Sequence, residues 1–175
     1  NLGDVLSVTS QLASDFGITL TEADDLAVKI LDTAVATGIS NDEATKLFGT
    51  FMQLGDLTAQ QAERLIENTA QLAEQRGVAP TAVLRDMASS SEEIAKFTKG
   101  SGENIAKAAV QARKLGVEFK TVTGIADKLL NFEESIESQL KASVLLGREI
   151  NLDRARQLAL NNDLAGALEE VVTQV

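Results

Sequence analysis

Apolar residues recur every three or four positions along most of the chain, which is the spacing of one face of an α-helix. Two long stripes show this pattern most clearly. The first stripe consists of Leu20, Ala23, Leu26, Ala27, Ile30, Leu31 and Ala34. The second stripe consists of Ala62, Leu65, Ile66, Thr69, Leu72 and Ala73. Each stripe predicts an amphipathic helix that buries its apolar face in a core.

Shorter stripes extend the helical prediction over the rest of the chain. They cover Ala44 to Leu54, Ile105 to Leu115, Ile136 to Leu146 and Leu152 to Val172. Only Val117 to Val122 alternates like a strand, and because it is so short we interpret it as a loop or a helix start. The pattern therefore predicts an all-α fold, an array or bundle of about eight to ten short helices in αα-hairpins, with no sheet.

A recurrent cassette marks several helix boundaries: a glycine, an apolar residue, a hydroxyl cap, then Glu or Gln three residues later, then Ala. Copies begin at Gly17, Gly38 and Gly55, and the third has one residue inserted. The glycine can adopt the left-handed conformation that ends one helix, while the hydroxyl and the Glu or Gln form a capping box for the next. The apolar residue of each copy is placed to form a hydrophobic staple, and these residues are Ile18, Ile39 and Leu57.

Less regular boundaries are predicted elsewhere. They are Gly77 to Pro80, Ser90 with Glu93, Asn131 with Glu134, and Gly147 to Asn151, where Ile150 and Ala155 form the staple. The string Gly100-Ser101-Gly102 lacks the strand and the Lys of a phosphate loop, so we interpret it as a flexible hinge between two helices. These breaks argue against one long coiled coil, which needs apolar heptads without interruption.

Composition and charge remove most enzyme classes. The 175 residues include no His, Cys, Trp or Tyr, so imidazole and thiol chemistry, their metal sites and disulfides are excluded. The formal net charge of −10 disfavours binding to nucleic acid or anionic lipid. No stretch has the roughly twenty apolar residues of a membrane span. We therefore predict a protein that is not an enzyme, with no cofactor, no small-molecule substrate and no DNA contact.

Two acidic clusters and one basic stretch are the remaining candidates for chemistry. Glu22, Asp24 and Asp25 begin a predicted helix, where carboxylates stabilise the macrodipole. A second cluster, Glu133, Glu134 and Glu137, lacks the His that carboxylate metal bundles place three residues after a Glu. Between Ser89 and Phe132 the basic residues are Lys96, Lys99, Lys107, Arg113, Lys114, Lys120 and Lys128. They predict a solvated face, because Phe97, Phe119 and Phe132 are interpreted as core anchors rather than as stacking aromatics. No catalytic, cofactor-binding or metal residue is predicted.

The C-terminal part of the chain resembles the tail tape measure proteins of long-tailed bacteriophages. The resemblance is clearest from Asn131 to Val175, and the segments that carry it are Asn131 to Glu137, Leu140 to Ala142, Leu145 to Arg156 and Leu158 to Asp163. We accordingly divide the chain into an acidic helical-hairpin region, residues 1–88, and a helical region, residues 89–175, with the tape-measure-like part at its end. Because the chain opens on Asn1 and stops within a helical pattern, it is expected to be a fragment of a longer polypeptide.

The resemblance implies a structural protein of the virion that lies in the tail tube lumen or tip, sets tail length and is released during genome ejection. Its implied partners are tail tube proteins, tail tip or baseplate proteins, and further copies of itself, such as in a trimer. The family is known for long helical rods, whereas the glycine-punctuated pattern here predicts a compact or tip-bound part. Two alternatives are a helical adaptor or repeat protein that binds a protein partner, and a glycosidase that uses carboxylates alone, which usually needs stacking aromatics.

Overall fold

A computed structural model describes residues 1–174 as eleven α-helices and one π-helical turn, and assigns no strand among them. The helices are α1 Leu2–Phe16, α2 Leu20–Thr37, α3 Asn41–Gly49, α4 Ala59–Gln75, α5 Pro80–Ala88, α6 Ser91–Phe97, α7 Glu103–Lys114, α8 Phe119–Leu130, α9 Phe132–Leu146, α10 Asp153–Leu160 and α11 Leu164–Gln174; the π-turn is Thr50–Leu54. Val175, the last residue of the tape-measure-like stretch, lies outside the described residues. The all-α prediction is confirmed, with eleven helices rather than eight to ten.

An additional helix lies where the sequence pattern predicts one continuous stripe. Leu152 to Val172 forms two helices, α10 and α11, which are separated by a turn at Asn161 to Asp163. Asn162 adopts a left-handed backbone with φ 56°, a conformation that Asn tolerates better than most residues. Asp163 then begins the next helix by accepting a hydrogen bond from the Gly166 amide at 2.9 Å. Elsewhere, Phe119 begins α8, which confirms that Val117 to Val122 contains a helix start.

One connected hydrophobic core runs from Val8 in α1 to Leu168 in α11. Sequential helices pack as hairpins, most extensively α1 with α2, α10 with α11, and α4 with α5. Helix α7 lies centrally, because it packs against α4, α5, α8 and α11. Its buried face is rich in alanine, which lets these neighbours approach closely; the alanines are Ala106, Ala108, Ala109 and Ala112.

Local capping explains many of the helix starts. Ser40 accepts a hydrogen bond from the Glu43 amide at 3.1 Å, and the Glu43 carboxylate accepts one from the Ser40 amide at 2.9 Å. Thr58 and Gln61 form the same box at the start of α4. The predicted helix start at Ser90 is confirmed, since α6 begins at Ser91, but the Ser90 hydroxyl does not cap it and donates instead to the Asp86 carbonyl at 2.9 Å. Asn131 precedes α9 without a capping bond from its side chain.

The third cassette ends its helix differently from the prediction. Gly55 has φ −92°, and the left-handed residue is Asp56 with φ 56°. The cause is the π-turn Thr50–Leu54, whose wider hydrogen-bond ring moves the helix end along by one residue. A Cβ on Gly55 would lie 2.8 Å from the Phe51 carbonyl oxygen, so this glycine allows a close approach of the backbone.

Replacing Gly38 with valine is expected to lower the free energy of unfolding by about 1 kcal/mol or more, because a β-branched side chain is strained at positive φ. Gly38 has φ +72°, and a Cβ there would lie 3.3 Å from the Thr81 hydroxyl oxygen. Urea denaturation of both proteins measures the change. An unchanged midpoint would show that this helix end can relax at no cost.

Candidate interaction surface

Helix α9 is oriented with its apolar side toward solvent. Ser135 is buried, and Gln139 and Ser143 are half-buried, so the inward face of the helix is polar. Four apolar side chains spaced four residues apart are instead exposed; we call them the α9 ridge, and their exposed fractions are 47% for Phe132, 49% for Ile136, 61% for Leu140 and 81% for Val144. The prediction that Ile136 to Leu146 faces the core is therefore wrong.

The polar face of α9 is held by a buried arginine from α10. Arg156 is only 4% exposed. Its Nε donates to the Ser135 hydroxyl at 2.9 Å and its Nη2 donates to the Gln139 side-chain oxygen at 2.7 Å. Its Nη1 forms an ion pair with Asp153 at 2.7 Å. Because a buried guanidinium needs several acceptors, α9 turns its hydroxyl and amide groups inward.

Backbone amides of the loop after α9 complete the hydrogen bonds along the inward face of α9, which we call the polar seam. The Ile150 amide donates to the Ser143 hydroxyl at 3.0 Å, and the Leu152 amide donates to the Gln139 side-chain oxygen at 3.2 Å. Ile150 itself is buried, and α10 begins at Asp153 with Leu152 at the cap position, one residue later than the predicted cap at Asn151. The helix is thus attached mainly by hydrogen bonds on one side, which leaves the opposite side available to a partner.

Open clefts border α9 on two sides. One, of about 390 Å³, lies between α8, α9 and α11 and has Leu129, Leu152 and Val171 among its lining residues. The other, of about 420 Å³, lies between the α9 ridge and residues 147–150.

Phe132 was predicted to be a core anchor, which is wrong because it begins α9 beyond the edge of the core. Phe97 and Phe119 are buried as predicted.

The acidic clusters stay on the surface. Glu133, Glu134 and Glu137 are exposed on α9, and Glu137 pairs with Lys141 of the same helix at 2.6 Å. Glu22, Asp24 and Asp25 of α2 are also exposed, and of the three only Glu22 lies in the first turn, where a carboxylate favours the macrodipole. Within residues 1–174, no three acidic side chains converge closely enough to hold a metal ion.

All seven basic residues between Ser89 and Phe132 are exposed, and three of them pair with neighbouring carboxylates. Lys107 pairs with Glu103 at 2.7 Å, which holds the pKa of that carboxyl below its usual value. Lys120 pairs with Glu93 at 3.4 Å, and Lys96 pairs with Asp127. The carboxylates come from α6, α7 and α8, so these three lysines link neighbouring helices or successive turns.

Helix α8 is capped at its start by a residue distant in the sequence, which no sequence pattern indicated. The Asp86 carboxylate, on α5, accepts a hydrogen bond from the Phe119 amide at 2.7 Å. Burial raises the pKa of Asp86, and this effect exceeds the opposing effect of the Phe119 hydrogen bond. Glu118 and Arg113 are the nearby charges, of which Glu118 raises the pKa of Asp86 further and Arg113 lowers it.

Replacing Asp86 with alanine is expected to lower the free energy of unfolding by about 1 kcal/mol, since the Phe119 amide loses its acceptor. Asp86→Asn keeps an acceptor oxygen and is expected to cost less. Because the native pKa of Asp86 is raised, its contribution to stability is greatest when the group is protonated and is lost as pH rises through that pKa. Urea denaturation should therefore show the wild type gaining stability relative to Asp86→Asn between pH 7 and pH 4; the opposite trend would contradict the assignment.

The helices of the described chain are short. The longest, α2, has 18 residues and includes Asp24, Lys29 and Asp32. No helix within residues 1–174 combines the length and the apolar character needed to cross a bilayer.

Comparisons of the chain with protein-family models, with curated proteins and with solved structures find no match.

Proposed function

We propose that this chain is a compact segment of a bacteriophage tail tape measure protein that associates with tail proteins, including further copies of itself, at the tube or tip. The observation that carries the proposal is the α9 ridge, which lies within the stretch from Asn131 that resembles this family. Contiguous exposed apolar side chains on a folded protein mark a binding surface for another protein. A structural role fits a surface of this kind better than catalysis does, because the acidic groups beside it are exposed and dispersed.

The folded-back helices support a compact position rather than the extended rod. At about 1.5 Å per residue, a continuous helix of the 175 residues would measure roughly 260 Å. The longest helix has 18 residues, or about 27 Å, and is followed by a return in α3. A segment of this shape contributes little to a ruler, and its proposed role is to anchor the tape measure to tail proteins.

A phage carrying an in-frame deletion of Gly38 to Arg76 is expected to assemble tails of nearly normal length but with impaired tip assembly or genome delivery. The deletion removes α3, the π-turn and α4, which contribute Phe48 and Phe51 to the core. If the same residues served as extended ruler, electron micrographs would show tails shorter by roughly 60 Å, at ~1.5 Å per residue. Infective particles with tails shortened by that amount would overturn the proposed compact role.

Immunogold labelling of purified virions tests the location itself. We expect label at the tail, concentrated at one end of the tube after partial disassembly. Genes for tube, sheath or tip proteins beside the gene for this chain would agree with that result. A chain that is absent from purified virions and remains with the host fraction would contradict the tape measure assignment.

A cleft between α4 and α7 favours the alternative of a helical adaptor. It measures about 540 Å³, and amide side chains contribute to its lining, among them Gln61, Asn68, Gln71 and Gln75. Amides can both donate and accept hydrogen bonds, so they suit the backbone of an extended peptide. Detection of the chain in cellular complexes but not in virions would favour this adaptor role.

A further inference from the structure

We propose that the α9 ridge is the interface between two copies of this chain, in which the α9 helices cross in opposite directions about a two-fold axis near Leu140. This inference rests on the proposed function, since it names a second copy of the chain as the partner that covers the same surface, and it gives a dimer where the resemblance implies a trimer. The exposed apolar residues, the one-sided polar attachment of α9 and the order of its charges each support a second copy as the occupant.

The spacing of the ridge suits helix-on-helix packing. Phe132, Ile136, Leu140 and Val144 are four residues apart, and rows of this kind interlock with the same row of another helix at a crossing angle of about −50°. Leu140 lies in the middle of α9, with Ile136 one turn before it and Val144 one turn after it. A two-fold axis at Leu140 therefore brings Ile136 of each copy against Val144 of the other.

Only one flank of the ridge is available for charged contacts. The flank that carries Gln139 and Ser143 faces the core side of its own chain, where Arg156 and two loop amides occupy it. The other flank carries Glu137 and Lys141, which are 66% and 68% exposed. In an antiparallel pair of helices, the same flank of each copy meets its counterpart, and the residues of the two flanks run in opposite order. In a parallel pair, the flank that carries Gln139 in one copy would meet the flank that carries Glu137 in the other. The antiparallel pair thus uses the available flank on both copies.

The charges on that flank become complementary when a second copy of the helix runs in the opposite direction. Glu137 lies before Leu140 and Lys141 lies after it. About a two-fold axis at Leu140, Glu137 of one copy faces Lys141 of the other, and the same pair forms a second time by symmetry. Antiparallel α9 helices also place the negative end of each macrodipole beside the positive end of the other.

The size of the apolar surface sets the expected strength. The four ridge residues, which are 47–81% exposed, present a surface that we estimate at several hundred Å². A stable specific interface buries roughly 800 Å² from each partner. The ridge is smaller than this area, so we expect a weak dimer with a dissociation constant on the order of micromolar.

Sedimentation equilibrium of the purified chain over a range of concentration tests the proposal. The mass should rise from 18.6 kDa toward twice that value with a two-state monomer–dimer fit. Leu140→Glu should weaken the dimer at least tenfold. Leu20→Glu is the matched control, because Leu20 is similarly exposed, at 65% against 61%, but lies on α2; it should leave the dimer unchanged. Circular dichroism verifies that both variants remain folded.

Charge reversal tests the antiparallel register directly. Glu137→Lys leaves two lysines on the flank and Lys141→Glu leaves two glutamates, so each variant alone should dimerise several-fold more weakly than the wild type. An equimolar mixture should form heterodimers with affinity near that of the wild type, because every cross-copy pair is again opposite in charge. The ion pair within each helix cannot produce this result, since both variants lack it in the mixture too.

Several outcomes would overturn the inference. They are a chain that stays monomeric at hundreds of micromolar, a trimer, a dimer insensitive to Leu140→Glu, or a mixture that binds no better than its components. In each case the virion labelling and the tail-length measurement are unaffected, so the proposed function could still stand with a different partner on α9. Conversely, the expected dimer with no label in virions would leave the interface intact and contradict the tape measure assignment.

Discussion

Replacing Arg156 with alanine is expected to lower the free energy of unfolding by about 2–4 kcal/mol and to loosen α9 from the rest of the fold. Arg156 is buried and its guanidinium joins Ser135, Gln139 and Asp153. The substitution removes three charge-assisted hydrogen bonds and leaves the buried Ser135 hydroxyl without this donor. Gln139 retains the Leu152 amide, which limits the loss.

Arg154→Ala provides a matched control in the same helix. Both substitutions remove one positive charge from α10, but the Arg154 side chain is 76% exposed and pairs with Glu170 at 3.5 Å. An exposed pair of this kind contributes about 0–1 kcal/mol. Urea denaturation gives the stability of both variants, and hydrogen exchange should show faster exchange of the α9 amides only in Arg156→Ala. Equal effects of the two substitutions would mean that the seam contributes no more than a surface ion pair.

The helix boundaries could be predicted because their determinants are local. In the box formed by Ser40 and Glu43, the donor and acceptor are three residues apart, so the sequence contains the whole interaction. The stripes on α2 and α4 were also correct, apart from Leu20, which is exposed at the first position of α2. A hydrophobic pattern of several turns determines which face of such a helix is apolar, and for these helices the core covers that face.

The orientation of α9 could not be predicted by the same means. Its apolar residues have helical spacing, but periodicity states only that a helix has an apolar face and not what covers it. The deciding residue is Arg156, 21 positions after Ser135, and arginine is a residue type that sequence patterns assign to the surface. The Asp86 cap on Phe119 spans 33 positions and was missed for the same reason. The exposed apolar face of α9 therefore depends on polar contacts between residues far apart in the sequence, which only the folded structure shows.

Replacing Gly49 with alanine is expected to lower the free energy of unfolding by about 1–3 kcal/mol through overpacking. Gly49 is buried at the end of α3, and a Cβ there would lie 2.3 Å from the Phe16 ring at the end of α1. No rotation of the new methyl group can relieve this contact, so either the ring or the helix must move. The absence of a side chain thus allows the first and third helices to approach closely.

Gly124→Ala is the control that separates crowding from helix propensity. Gly124 lies inside α8, and a Cβ there would meet nothing within 4 Å outside its own turn. Since alanine favours helix over glycine by about 0.5–1 kcal/mol, Gly124→Ala should stabilise the protein while Gly49→Ala destabilises it. Phe16→Ala should partly rescue Gly49→Ala in a double-mutant cycle, because the ring is the atom group in conflict. If urea denaturation showed no coupling between positions 16 and 49, the close approach of α1 to α3 would not be the cause of the loss.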